Sequence, residues 1–272
     1  MSRTNIHSTK LRGLIKSLGL VLYHQSIHVE IEVEKVVPYN QEKEKRVQIE
    51  SMFDNIAHKY DFLNHLLSLG IDITWRKRAI REVSVVQPRL ILDMASGTGD
   101  FAFEALSISP EKIVALDLSQ NMLDIGRSKA STKDTQTIID WVKGDSEQIL
   151  YSDGHFDAIT VGFGVRNFQN LEKGLSELHR VLRPGGMIAI LEPSFPTNPF
   201  LKILFNIHFR YITPLVGKLF SKDARAYTYL PDSVSVFPQG DSFCKILENV
   251  GFKDTKHIAL TFGMCALYLA RK

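Results

Sequence analysis

The 272 residues of the chain are enough for one domain with additions, or for two small domains. Hydrophobic residues make up 44% and charged residues 23% of the sequence, which is the ordinary range of soluble globular proteins. The net charge of +3 is too small to indicate a nucleic-acid partner, although it leaves contact with an anionic membrane surface open.

The first 25 residues differ in composition from the rest, because they carry four basic residues and no acid. Their apolar stretch from Leu18 to Tyr23 is too short for a membrane span and has no cleavage site after it. We expect residues 1–40 to be a flexible extension, with a basic amphipathic surface segment as the alternative. Residues 41–272 are expected to form a single domain.

Residues 41–88 are predicted to be helical. Apolar residues between Met52 and Leu67 recur mostly at steps of three and four, which places them on one face of a helix. Gly70 is expected to end this helix, and Asp72 is expected to cap the next one, Ile73 to Val83.

Residues 89–192 alternate between short apolar runs and helical patterns, with a turn predicted at Arg183 to Gly186. Repeated units of strand and helix predict a parallel sheet covered on both faces. The predicted strands are Arg89–Met94, Lys112–Leu116, Ile138–Val142, Phe156–Phe163 and Met187–Leu191, and the predicted helices are Phe101–Ile108, Ser119–Lys129 and Leu171–Leu182.

The last part of the chain breaks this alternation. Residues 193–237 are predicted to be a helical insertion, and residues 238–272 a helix followed by an antiparallel strand pair. Cys244 and Cys265 show neither metal-ligand spacing nor a disulfide framework. We therefore expect a reducing, cytoplasmic location and no metal.

The loop after the first predicted strand is typical of a nucleotide site. Gly97 and Gly99 carry no side chain where the backbone must approach a ligand, and the following helix points free N–H groups there. Asp117 ends the second strand, where a carboxylate can accept hydrogen bonds from both hydroxyls of a ribose. Because Gly97 to Ala102 also matches G-x-G-x-x-A, an NAD(P)-dependent oxidoreductase is an alternative.

Several acids near this loop favour a different cofactor. Asp93, just before the loop, could hold a cationic amino group and would repel a pyrophosphate, and Asp100 adds negative charge. Asp145 and Ser146 follow the third strand, where an adenine amino group could lie. These acids suit S-adenosyl-L-methionine, and the chain lacks a well-placed Tyr-x-x-x-Lys pair for a dehydrogenase.

The sequence resembles the quinone-biosynthesis C-methyltransferases, which methylate demethylmenaquinol or a ubiquinol precursor. The resemblance covers roughly residues 51–272. Two of its stretches, the glycine loop and Arg183 to Gly186, occur across many methyltransferases, whereas the others are narrower. The matching stretches are Met52–Asn64 with Trp75-Arg76, Leu92–Asp100, Gly162–Asn167, Arg183–Gly186 and Tyr229–Val234.

The resemblance implies a Rossmann-like class I methyltransferase fold, with a mostly parallel seven-stranded sheet, helices on both faces and an antiparallel last strand. It implies S-adenosyl-L-methionine as methyl donor. Cofactor contacts carried over from the family fall on Thr98, Asp117, Asp145 and Ser146. A further family position, often serine, is Gly162 here, so at most its backbone could serve.

The family reaction joins a methyl group to a ring carbon, which needs an aligned substrate and a stabilised phenolate. Arg166 is the candidate cation, with an ion pair to Glu192 as the structural alternative. Asn167 could orient the same hydroxyl or cap a helix. His58 is a second candidate base, although a lone histidine is more often a surface or core residue.

The substrate side is expected to combine a lid with an apolar channel. Tyr60, Asp61 and Asn64 share one helix at spacings that could form a lid. The insertion could hold a polyprenyl tail or rest on a bilayer, or its helices could simply pack on the domain. Its relevant residues are Phe200, Leu201, Ile203, Leu204, Phe205, Ile207, Phe209 and Leu215, with Lys202, Arg210 and Lys218 facing headgroups.

We predict a methyltransferase that converts demethylmenaquinol to menaquinol, with a benzoquinol of ubiquinone biosynthesis as the alternative ring. A non-catalytic subunit of a quinone-synthesis complex is the third hypothesis. The expected partner is a polyprenyl quinol and no nucleic acid, while peripheral contact with the inner face of the membrane and a homodimer are left open.

Overall fold

A computed structural model describes residues 32–40, 42–133, 135–196, 198–200, 203, 207 and 225–272. The expected extension over residues 1–31 and most of the predicted channel lie outside the described residues. The channel residues that lie outside are Leu201, Lys202, Leu204, Phe205, Phe209, Arg210, Leu215 and Lys218.

Seven strands form one sheet, in the order β3-β2-β1-β4-β5-β7-β6. Strand β7 is antiparallel to both of its neighbours, β5 and β6, and the other described pairings are parallel. The mostly parallel seven-stranded sheet with an antiparallel last strand, which was expected from the sequence, is therefore confirmed. The strands are β1 Leu90–Met94, β2 Lys112–Asp117, β3 Ile139–Lys143, β4 Phe156–Gly162, β5 Leu182–Pro193, β6 Lys253–Leu260 and β7 Cys265–Arg271.

Helices pack around this sheet. Helix α5 begins at the expected cap, since the Ser119 hydroxyl accepts a hydrogen bond from the Met122 amide at 3.2 Å. The helices are α1 Glu32–Lys35, α2 Lys45–Leu67, α3 Ile71–Val83, α4 Asp100–Ala105, α5 Gln120–Thr132, α6 Leu171–Val181, α7 Arg225–Val236 and α8 Asp241–Val250.

Burial on both faces of the sheet explains why the central strands are apolar runs in the sequence. Ile91, Leu92, Ile113 and Ile159 are fully buried, because parallel strands are covered by helices on both faces. Each such side chain stabilises the fold by roughly 1.5–3 kcal/mol relative to exposure. The residues that line the site lie mainly in the loops where these strands end.

Two local predictions were wrong. Asp72 does not cap α3, because that helix begins earlier, after Gly70 in a left-handed conformation (φ 74°). The buried Asp72 carboxylate instead binds Arg76 at 2.5 Å. The expected turn at Arg183 to Gly186 lies within β5, whose pairing with β4 jumps from Leu182 to Met187.

The described part of the expected extension packs on the domain. Val33 is buried, and the Glu34 carboxylate accepts a hydrogen bond from the Leu171 amide at 2.7 Å. Residues 32–40 are thus held by side-chain contacts that their composition did not indicate, while flexibility of residues 1–31 stays a prediction. Within the described residues, no helix is both long and apolar enough to cross a bilayer.

Candidate active site

The glycine loop turns sharply between β1 and α4. Gly97 and Gly99 adopt left-handed conformations, with φ of 55° and 86°. A Cβ atom at Gly99 would lie 2.2 Å from Cη2 of Trp141, so a side chain cannot fit there. The loop therefore needs glycine at Gly99 for both conformation and space.

Asp117 fixes this loop from the end of β2. Its carboxylate accepts hydrogen bonds from the amides of Gly97 and Ser119, both at 2.8 Å. Burial raises the pKa of Asp117 to about 6. Because each carboxylate oxygen has a second lone pair and the residue lines a cleft, the group can also accept bonds from a ligand.

Asp145 and Ser146 lie in the same cleft, in the loop after β3. The Asp145 carboxylate accepts hydrogen bonds from the guanidinium of Arg46 at 2.8 Å and from the Glu147 amide at 2.9 Å. Sequence reasoning missed Arg46, which reaches this loop from the first turn of α2.

Thr98 is buried and faces α2. Its hydroxyl donates a hydrogen bond to Asp61, and Lys129 binds both Asp61 at 2.9 Å and Asp100 at 2.7 Å. Thr98 is not among the described residues that line the cleft, so its expected cofactor contact stays a prediction. Lys129, at the end of α5, had no sequence signal.

Asp93 does not reach the cleft in the described structure. Its buried carboxylate accepts a hydrogen bond from the Thr160 hydroxyl at 2.9 Å. Among the described residues, its other oxygen has no hydrogen-bond partner. Burial raises the pKa of Asp93 to about 7. The expected contact with a cationic amino group has no support in this geometry.

Asp93 should make the stability of the protein depend on pH. Its folded pKa lies above its unfolded value, so the folded state binds more protons, and stability falls as pH rises from 5 to 8. We expect Asp93→Asn to remove the contribution of Asp93 to this loss of stability with rising pH. Urea unfolding of both proteins across that pH range measures it, and parallel pH profiles would contradict the assignment.

The cleft, together with the open solvent at its mouth, comprises about 690 Å³ of empty space and opens at the carboxyl ends of β1 to β4. Polar groups line it where the loops after β2 and β3 meet, and aromatic rings line it near α2 and the loop after β4. Its lining residues include Asp117, Ser119, Asp145 and Ser146 on the polar part, and Phe53, Tyr60, Phe163 and Phe168 on the aromatic part.

Helix α2 lies across these loops and is tied to each of them. Arg46 binds Asp145, and the hydroxyl of Ser119 donates to Asp54 at 2.5 Å. Glu50 accepts from Lys143 at 2.6 Å, at the end of β3. Together with Asp61, the α2 residues in these contacts recur at steps of four and seven, on one helical face.

A histidine and two acids meet beside the glycine loop. The ligand atoms of His65, Asp72 and Asp100 lie within 4.8 Å of one another. Arg76 and Lys129 already bind the two carboxylates, at 2.5 and 2.7 Å. Two fixed cations in the cluster indicate an ion-pair network rather than a metal site.

Arg166 is paired as the structural alternative predicted. Its buried guanidinium lies 2.9 Å from the buried Glu192 carboxylate, which also accepts from the Arg166 amide at 3.3 Å. Burial raises the pKa of Glu192, and the Arg166 charge opposes that shift. Arg166 is not among the described residues that line the cleft, so a direct catalytic contact stays a prediction.

Asn167 does line the cleft, next to that ion pair. Its side-chain oxygen accepts a hydrogen bond from the Tyr229 hydroxyl at 3.1 Å, and its amide donates to the Phe163 carbonyl at 3.3 Å. Both bonds fix the orientation of the amide. Gly164 permits this loop to approach β1, because a Cβ there would lie 2.5 Å from that of Ala95.

The burial of Lys45 was not predicted, because this residue lies in a stretch of charged residues that is typical of a solvent-exposed helix face. It is buried, and its ammonium group donates to the carbonyls of Val33 at 2.7 Å and Arg166 at 3.0 Å. Burial lowers the pKa of Lys45 to about 7. Lys45 therefore joins α1 to the loop that carries Asn167.

The lid residues and the candidate base separate on α2. Tyr60 lines the cleft and is hydrogen-bonded to Asn64, and burial raises the pKa of its hydroxyl. His58 is exposed and is not among the described residues that line the cleft. The geometry thus supports Tyr60 as part of the lid and gives no support to His58 as a base.

Replacing His58 with alanine is expected to change both stability and turnover little, turnover by less than about twofold, because its exposed side chain is not among the described residues that line the cleft. Steady-state kinetics with saturating methyl donor measure this. A large drop in turnover with unchanged stability would instead return His58 to the reaction.

Comparison with known proteins agrees with this geometry. A model of the ubiE/COQ5 methyltransferase family matches residues 39–272. Demethylmenaquinone methyltransferase of Bacteroides fragilis is 45% identical over 240 residues, which cover 88% of this chain and 98% of that protein. The ubiquinone/menaquinone biosynthesis C-methyltransferase of Geotalea daltonii is 42% identical over 231 residues, which cover 84% and 98%.

Solved structures resemble the fold at low sequence identity. A SAM-dependent methyltransferase from Thermotoga maritima superposes with a TM-score of 0.56 at 16% identity, covering 82% of this chain and 99% of that one. The S-adenosylmethionine-dependent methyltransferase SibL gives 0.54 at 16% identity, covering 71% and 53%.

Proposed function

The chain belongs to the ubiE/COQ5 methyltransferase family, and on that premise we propose that its substrate is demethylmenaquinol. It is an S-adenosyl-L-methionine-dependent C-methyltransferase, and the product is menaquinol. One observation carries this assignment. The same cleft is lined by carboxylates that can accept hydrogen bonds from a nucleoside and by a wall of aromatic rings.

The polar part of the cleft fits S-adenosyl-L-methionine. Asp117 and Asp145 offer carboxylate oxygens at the ends of neighbouring strands, where ribose hydroxyls and an adenine amino group can donate. Apolar Leu118 and Met122 beside them suit the faces of the adenine ring. Bound there, the cofactor supplies a methyl group already activated by its positively charged sulfur.

The aromatic part of the cleft suits a quinol ring. Phe53 and Tyr60 pack edge to face, with ring centroids 5.8 Å apart, and form one rigid wall. Asn167 provides a fixed amide that can hydrogen-bond a ring hydroxyl. These residues exclude water and hold the reacting carbon in line with the methyl donor, which is the main source of rate in such a transfer.

The loss of the hydroxyl proton is the remaining requirement. Arg166, which is paired with Glu192, is adjacent to Asn167 in the chain, and among the described residues its buried Nε has no hydrogen-bond partner. We propose that Arg166 stabilises the phenolate through Asn167 or a water. Thr98, Ser146, Gly97 and Gly99 are proposed to belong to the cofactor site.

The family also includes proteins named for ubiquinone synthesis, so a benzoquinol is the second candidate ring. The test is incubation of the full chain with labelled S-adenosyl-L-methionine and each quinol, followed by identification of the labelled lipid. Label in the naphthoquinol supports the proposal, and label only in the benzoquinol overturns the choice of ring. Absence of label in both would favour a non-catalytic subunit.

The location and assembly of the protein are further parts of the proposal. A polyprenyl substrate lies in a membrane, which supports a cytoplasmic enzyme at the inner face of the cell membrane. The tail channel in residues 193–237 and the homodimer are proposed with it. Sedimentation equilibrium of the full chain tests the homodimer.

A further inference from the structure

Two large apolar side chains stand out to solvent from unusual backbone positions. Leu69, between α2 and α3, is 80% exposed with φ of 53°, and Phe262, between β6 and β7, is 76% exposed with φ of 59°. Left-handed backbone is unfavourable for residues with a Cβ, and glycine or asparagine normally occupies it. Neither the conformation nor the exposure of these residues helps the fold.

Both residues lie at the edge of the sheet where the cleft opens. Phe262 lies three residues before β7, whose first residue, Cys265, pairs with Pro193 at the carboxyl end of β5. Leu69 lies two residues before α3. The second turn of that helix reaches the same loop, because the Trp75 indole donates to the Thr261 hydroxyl at 2.7 Å.

The same contacts connect this region to the cleft. The ring of Trp75 packs edge to face on Phe163, with centroids 6.2 Å apart, and Phe163 lines the cleft. Leu66 and Ile73, on either side of Leu69, are also exposed. We call Leu66, Leu69, Ile73 and Phe262 the apolar tip.

The charges around the apolar tip are complementary to an anionic surface. Lys59 on α2 and Lys77 on α3 are exposed. The nearby acids are engaged in ion pairs, since Asp61 binds Lys129 at 2.9 Å and Asp72 binds Arg76 at 2.5 Å. Basic side chains beside exposed apolar ones are typical of segments that enter the headgroup region of a bilayer.

We propose that the apolar tip inserts into the surface of an anionic lipid bilayer and holds the mouth of the cleft against it. The inference deepens the proposed function and rests on it, because only a lipid substrate gives the cleft a reason to face a membrane. A second copy of this chain fits less well, since four side chains fall short of the ~800 Å² per partner that a stable dimer buries.

Asparagine substitutions separate docking from folding. Leu69→Asn and Phe262→Asn place a residue suited to left-handed backbone at each site, so the melting temperature should stay constant or rise. Binding to vesicles of phosphatidylcholine and phosphatidylglycerol should fall about tenfold for each variant, and about a hundredfold for both together. The matched control is Leu150→Asn, which removes an 84% exposed apolar residue away from the tip and should bind as the parent does.

The measurement is vesicle co-sedimentation of the full chain, without substrate. The proposal is overturned if the parent does not bind vesicles, if the tip variants bind as tightly as the parent, or if they change self-association instead. Methylation of a short-tail quinol in solution should be unchanged in the tip variants. If the parent does not methylate the short-tail quinol, that result counts against the proposed function alone, because vesicle binding is measured independently.

Discussion

Replacing Arg166 with methionine is expected to lower the free energy of unfolding by about 3–5 kcal/mol. The substitution leaves the Glu192 carboxylate buried without its charge partner, which is among the costliest single changes in a protein interior. The loss should be largest at high pH and shrink as pH falls, because protonation of Glu192, whose pKa is already raised, removes the unpaired charge. Urea unfolding at several pH values measures both effects.

A double variant separates the structural role of Arg166 from a catalytic one. Adding Glu192→Gln to Arg166→Met removes both charges, so stability should return to within about 1–2 kcal/mol of the parent. If the refolded double variant also regains turnover, Arg166 acts only through the ion pair and its catalytic role is wrong. If it folds but stays inactive with normal cofactor affinity, the proposed effect on the phenolate is supported.

Replacing Asp117 with asparagine is expected to weaken S-adenosyl-L-methionine binding roughly 100-fold. The carboxylate accepts two amide hydrogen bonds and still offers lone pairs to the cleft, whereas an amide presents an N–H group to one of those donors. Charge-assisted hydrogen bonds contribute about 1.5–3 kcal/mol each. Losing the two bonds that Asp117 is proposed to accept from the ribose hydroxyls therefore weakens cofactor binding by at least the stated factor. Isothermal titration calorimetry measures the change.

The pH dependence of binding offers a second check on Asp117. Its pKa of about 6 predicts that cofactor affinity of the parent falls between pH 7 and 5, and that the variant shows no such fall. Asp140→Asn is the matched control, since Asp140 is exposed on β3 and paired with Lys112 at 3.0 Å. A dissociation constant for Asp117→Asn within threefold of the parent would mean that Asp117 only shapes the loop.

The sheet could be predicted from sequence because each central strand is an apolar run that ends at a polar loop. Strand β1, Leu90–Met94, is buried on both faces and ends at the glycine loop, so both its position and its role were readable. The element boundaries were predicted wrongly where the backbone adopts an unusual conformation. The long excursion in β5 and the early start of α3 depend on Gly185 and Gly70 in left-handed conformations.

The site was less readable because side-chain direction is set by tertiary packing. Asp93 and Asp117 both lie at or next to the carboxyl end of a strand, yet the first side chain turns into the core and the second toward the cleft. Lys45 and His58 look alike as polar residues of α2, but packing against α1 buries the first and leaves the second exposed. Sequence spacing alone does not distinguish these outcomes.

Helix α2 carries two functions on adjacent faces. One face holds the loops of the proposed cofactor site through Arg46, Asp54 and Asp61, and the neighbouring face presents Phe53 and Tyr60 to the part of the cleft proposed for the substrate. Exchanging this helix between relatives to alter quinol preference would therefore carry the cofactor contacts with it. Engineering a new ring specificity is better directed at the loop of Asn167, where the substrate wall can change while the hold on the methyl donor is kept.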